Sequence, residues 1–162
     1  MEHLKKTLIL VTSLMFGTVV MHELHLAPWP AFLAVIFYFI FDFDNSKLKM
    51  IFGGSVVGLG FAYAFSFILP ALIASFGPSL GYYIVLAVSL VIVLGLGAIA
   101  HDYFNPITFA YGLLGLLYVD IARESSIVWL LTLLLGGGFV IFCVNFAVRK
   151  VIPKALNSAQ LS

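Results

Sequence analysis

The sequence predicts an all-α integral membrane protein: a single domain over residues 1–162 with six transmembrane helices, two of them short, arranged as a 3+3 inverted repeat. Three observations carry this. First, 63% of the 162 residues are hydrophobic and only 8 are basic and 7 acidic, too little polar surface to keep a chain of this size dispersed in water. Second, the apolar residues come in long blocks and not in the alternating patterns of a soluble fold. Third, the order long, short, long occurs twice, in residues 7–76 and again in 80–148.

The first block is residues 7–26, preceded by Lys5 and Lys6. It resembles the charged and apolar regions of a signal peptide, but Val20, Met21, His22 and Glu23 stand where small cleavage-site residues belong, so it is read as a retained span. Residues 29–41 form the first short block, opened by Pro28-Trp29-Pro30. Residues 49–76 and 80–100 are each long enough to cross a hydrocarbon core of about 30 Å. Residues 106–119 form the second short block, opened by Asn105-Pro106, and 127–148 the last long one. Each short block covers only about 20 Å at the helical rise. Proline suits the first turn of a helix, so each short helix is expected to begin partway into the membrane after a non-helical stretch. Four spans, with the short blocks merged into loops, is the alternative count. It would strand Lys47 and Lys49 outside.

With six crossings and the N-terminus inside, the inner face holds Lys5, Lys6, Lys47, Lys49, Arg149, Lys150 and Lys154, and the outer face only Arg123. This asymmetry places both termini in the cytoplasm. The repeat extends to details. His22-Glu23 and His101-Asp102 precede the short blocks, Pro30 and Pro106 open them, and Tyr38 with Asp42 and Tyr118 with Asp120 close them. Gly53-Gly54 and Gly136-Gly137-Gly138 mark the third helix of each half. An odd number of spans per half inserts the two halves in opposite senses. Such repeats place solute sites where short or broken helices meet. The plainer reading, that the prolines only turn the chain between ordinary helices, stands level with it.

Trp29-Pro30-Ala31-Phe32-Leu33, Tyr38-Phe39 and Lys47 to Ile51 resemble the small bacterial inner-membrane proteins of the YcdZ type, as do Leu80-Gly81-Tyr82 and Phe104-Asn105-Pro106-Ile107-Thr108-Phe109 in the second half. The resemblance covers residues 7–148 and departs at Ile107, where a glycine is expected, and in the acidic loops. It implies a bacterial inner-membrane location and no activity. Asn105-Pro106 at a helix start also resembles aquaporins and urea channels, for which this chain is too short.

The expected solute path consists of Asn105, Thr108, Tyr111, Phe32, Tyr38, His101 and Asp102. Asn105 leads, because a neutral donor and acceptor at a helix break can serve a solute. Thr108 and Asn145 follow, because burying them requires a partner or water. His22, Glu23 and His25 are read either as a gate or pH sensor or as a polar cap at a membrane face, the cap being favoured. Their spacing is not that of a zinc helix. Gly54, Gly58 and Gly137 are assigned to close helix packing. Asp120, Arg123 and Glu124 are read as a solvated outer loop, and Asp42 and Asp44 as partners of Lys47 and Lys49.

No metal or other cofactor is expected, and a lone cysteine, Cys143, excludes an internal disulfide. A net charge of +1 leaves no footprint for nucleic acid. No convergent nucleophile or metal set marks an enzyme. The expected function is a channel or secondary transporter for a small neutral or weakly charged solute, with the lipid bilayer and further copies of the chain as partners. The alternative is a non-transporting subunit of a larger membrane complex.

Overall fold

A computed structural model describes residues 2–151, and all regular structure among them is helical. In chain order the helices are α1 (Glu2–Glu23), α2 (Trp29–Ile40), α3 (Leu48–Phe76, after a short 3₁₀ turn Asn45–Lys47), α4 (Pro78–Gly97), α5 (Pro106–Leu117), α6 (Val119–Leu131) and α7 (Gly138–Val151). A π-helical segment, Thr132–Gly137, joins the last two. Three helical stretches are long and apolar enough to cross a membrane: Asn45–Phe76, Pro78–Gly97 and Val119–Val148. Thr7–Glu23, Trp29–Ile40 and Pro106–Leu117 are shorter apolar helices. Lys154 and the side chains of Lys6, Arg149 and Lys150, used above to orient the chain, lie outside the described residues.

Two boundaries differ from expectation. The first block was expected to be helical through residue 26. The helix ends at Glu23, and His25 turns the chain with φ of 55°. The last span was expected to begin at 127 after a polar loop. Instead α6 starts at Val119, and Tyr118 alone separates it from α5. Ala122, Arg123 and Glu124 are good helix formers, so their polarity signalled the end of the apolar core and not the end of the helix.

The chain divides into two compact units that do not follow the sequence halves: residues 1–43 with 132–162, and residues 44–131. In the first, α1 and α7 run antiparallel, with Gly17 against Val140 and Met21 against Gly136. Ala31 and Ala34 of α2 sit on Gly137, the close approach expected of that glycine.

In the second unit α3 is the central element. Helix α5 runs alongside it in the same direction: Gly54 meets Asn105 and Thr108, Gly58 meets Thr108 and Tyr111, and Ala62 meets Gly115. A Cβ at Gly54 would lie 2.8 Å from the Asn105 amide, and one at Gly58 would collide with the Thr108 carbonyl. Glycine is therefore required for the two helix axes to approach this closely. Helix α4 returns antiparallel to α3, with Gly81 against Ile73 and Gly97 against Phe104. Phe65, Leu69, Val85 and Leu116 form the buried apolar cluster where α3, α4 and α5 meet.

Candidate functional site

The start of α5 is a knot tied by Asn105. Its side-chain oxygen accepts from the backbone N–H groups of Ile107 (2.8 Å) and Thr108 (3.4 Å). The amide nitrogen donates to the carbonyls of His101 (3.0 Å), Asp102 (3.3 Å) and, on α3, Met50 (3.4 Å). The Thr108 hydroxyl donates to the Tyr103 carbonyl at 2.5 Å and accepts from the Asn105 N–H at 3.2 Å, completing a capping box. Asn105 is 2% exposed and Thr108 is fully buried, and every polar atom of both side chains is engaged within this knot.

Beside the knot, Lys49 and Asp102 form an exposed ion pair at 2.7 Å. The hydrogen bond from Lys49 holds the Asp102 carboxyl below its usual range. His101 is exposed nearby and lines a mostly apolar cavity of about 380 Å³ between α4 and α5, with Leu90, Val93, Phe104 and Phe109. Tyr111 is fully buried against Gly58. The second unit thus collects Asn105, Thr108, Tyr111, His101 and Asp102. Phe32, half-buried, and Tyr38, fully buried with its ring edge-on to Phe43 at 5.6 Å, belong to the first unit. So do His22, Glu23 and His25, all exposed around a cavity of about 530 Å³ at the end of α1. The His25 ring lies 3.2 Å from the Glu23 carbonyl. Among the described residues no three His, Cys, Asp or Glu side chains converge as a metal site.

The short helix α5 is short at its far end. Its start lies level with Gly53 and Gly54 near the beginning of α3, together with Lys49 and Gly97. The α5–α6 junction lies level with Leu69, against which Leu116 and Val119 pack, while α3 continues to Phe76. Seven further residues at the helical rise put the α3–α4 turn about 10 Å beyond that junction. The first turn of α5 sits at one end, and it is the Tyr118 end that is recessed.

Sequence reasoning passed over what occupies this recess. Pro70 lies inside α3. Having no N–H, it leaves the carbonyl four residues earlier, that of Ser66, without its helical donor. Arg123 of α6 fills the vacancy by donating to the Ser66 carbonyl at 2.6 Å, and its guanidinium lies over the Phe67 ring at 4.2 Å. The signal was present: a proline in the middle of an apolar block, and a single basic residue on that face. Arg123 and Asp120, with Ser66, Pro70, Ile73 and Tyr82, line a cavity of about 440 Å³. Arg123 is thus held by a backbone defect, not by a loop ion pair.

Arg123 and Pro70 should therefore be energetically coupled. Arg123→Met orphans the Ser66 carbonyl and is expected to destabilise by roughly 1–3 kcal/mol. In a Pro70→Ala background the restored N–H serves that carbonyl, and the same substitution should cost far less. Thermal unfolding of the wild type, both single variants and the double variant measures the coupling; additive effects would separate Arg123 from the proline defect. Neither a family model, nor a curated protein, nor a solved structure matches the chain.

Proposed function

We propose that the protein is a channel or secondary transporter for a small neutral or weakly charged solute in a bacterial inner membrane. It would cross six times with both termini inside, as an inverted repeat, and act as a homo-oligomer without cofactor or catalytic activity. The resemblance to proteins of the YcdZ type fits the location. The observation that carries the reading is the recess over the blunt end of α5, where Ser66, Asp120 and Arg123 face a cavity that the α3–α4 hairpin overtops. Helix α3, with 29 residues, is about 43 Å long, near the full thickness of a bilayer with its head groups. On that scale Arg123 lies below the outer head-group layer, and charged residues at such depth usually serve a polar pathway.

The arrangement of the short helices supports the repeat. In each unit a 12-residue helix packs on the glycine-bearing long helix of the opposite sequence half, α2 on Gly137 and α5 on Gly54 and Gly58. One observation favours the second reading, a non-transporting subunit. The polar atoms of Asn105 and Thr108 are all used by the knot and are not offered to a solute.

Flux across liposomes containing the purified protein decides between them. Transport predicts passage of at least one of urea, acetate and ammonium, reduced about tenfold or more by Arg123→Leu. No flux for any of the three, together with a stoichiometric co-purifying membrane protein, would leave the subunit reading.

A further inference from the structure

Arg123 also borders a second cavity, of about 450 Å³, on the flank of α3 and α6. Its walls are Val56, Leu59, Gly60, Ile127 and Leu130, with Tyr63 and Ser126 toward the Arg123 end. From Tyr63 to Val56 the groove descends about 10 Å along α3. Arg123 is its only charged lining residue, whereas Asp120 lines the recess and not the groove. A Cβ built at Gly60 meets no atom within 4 Å, so the groove is open at its middle.

The guanidinium is already fixed, one N–H on the Ser66 carbonyl and its face on the Phe67 ring. Its other donors keep the planar fork that matches a carboxylate. A fixed cation at the head of an apolar trough selects a molecule with an anionic head and a hydrocarbon tail. Such a ligand loses affinity if either part is missing, because a tail alone leaves the cation unpaired and a head alone leaves the trough wet.

We infer that the groove between α3 and α6 binds an amphipathic carboxylate, with the carboxylate on Arg123 and the alkyl tail along Gly60. Two observations favour a free carboxylate over a membrane phospholipid. Arg123 lies at the level of Ser66, about 15 Å below the end of α3, which in the proposed bilayer placement is beneath the layer where phosphates reside. The groove also runs only about 10 Å along α3 from Tyr63 to Val56, room for a short alkyl tail and not for the longer tails of a phospholipid. If the transport reading holds, this names the class of its solute; the site itself does not require transport.

The test uses octanoate as probe, with octanol and octylammonium as matched tails, on the full chain in nanodiscs. Octanoate is expected to bind about tenfold or more tightly than either control, a difference of about 1.4 kcal/mol or more. Gly60→Leu should weaken octanoate about tenfold without lowering the unfolding temperature, since its side chain enters open space. Arg123→Gln should erase the preference for octanoate over octanol. Equal binding of octanoate and octanol to the wild type overturns the proposal, as does unchanged octanoate affinity in Gly60→Leu, or a retained phospholipid that octanoate fails to displace. Octanoate binding together with absent flux of urea, acetate and ammonium and a stoichiometric co-purifying membrane protein would leave the subunit reading and keep the site.

Discussion

Gly58→Ala is expected to destabilise the protein by about 3 kcal/mol, the upper end of what overpacking costs. The added methyl would run into the Thr108 carbonyl and lie 2.6 Å from the Tyr111 Cβ and 3.0 Å from the Gly112 nitrogen. Two of these three neighbours are backbone, and the third is the root of a fully buried ring, so none can rotate away. Relief requires moving α5 off α3, which would also pull Gly54 away from the Asn105 knot and Ala62 away from Gly115, opening the seam on both sides. The matched control is Gly60→Ala, two residues away on the same helix, whose methyl meets nothing. There the change should be neutral or stabilising by about 1 kcal/mol through helix propensity. Thermal unfolding of both variants in one detergent makes the comparison. Similar midpoints for the two would mean that α5 does not lie on Gly58.

The second large effect is expected at Asn105. Replacing it with alanine removes an N-cap worth about 1 kcal/mol and withdraws the donor from the carbonyls of His101, Asp102 and Met50. Leaving these part-buried acceptors without their donor adds up to about 1–3 kcal/mol. Asn105→Asp is the informative companion. It keeps the oxygen that caps Ile107 and Thr108 but offers no donor, and it places a carboxylate against carbonyl oxygens. Aspartate should therefore rescue the first turn of α5, read as slow hydrogen exchange at the Ile107 and Thr108 amides, without rescuing global stability. Full recovery of the unfolding temperature by aspartate would show the three carbonyl contacts to be dispensable. Loss of flux in an Asn105 variant counts as evidence about a solute only where the unfolding temperature is retained.

Helix positions were legible in the sequence where apolar length or proline decided them. Block length gave α3 and α4 to within a few residues, and Asn105-Pro106 placed the start of α5. The misread places are those where one residue type serves two physical roles. Arg123 and Glu124 are polar, hence read as loop, yet they favour helix and continue α6 toward α5. Asn105 can serve a solute or a backbone. Which it serves depends on the carbonyl of Met50, 55 positions away, and sequence spacing carries no signal for that. Gly58 was legible as a packing residue from its spacing to Gly54, but its partner was not, because pairing between helices is set by tertiary fit. Pro70 and Arg123 were each visible. What joins them is a vacancy in a hydrogen-bond ladder, and that becomes apparent only when the carbonyl four residues before the proline is followed to its donor.

The division of the chain between its two units has a consequence for the order of assembly. The unit of residues 44–131 is continuous, so all its helices are available once residue 131 has left the ribosome. The other unit begins the chain and is completed only by residues 132 onward. Helices α1 and α2 are thus made before the other unit and matched after it. During synthesis the small faces of Gly17, Ala31 and Ala34 wait uncovered while the whole of the other unit is made. Helices α1 and α2 therefore depend on α7, from which the whole of the other unit separates them in synthesis.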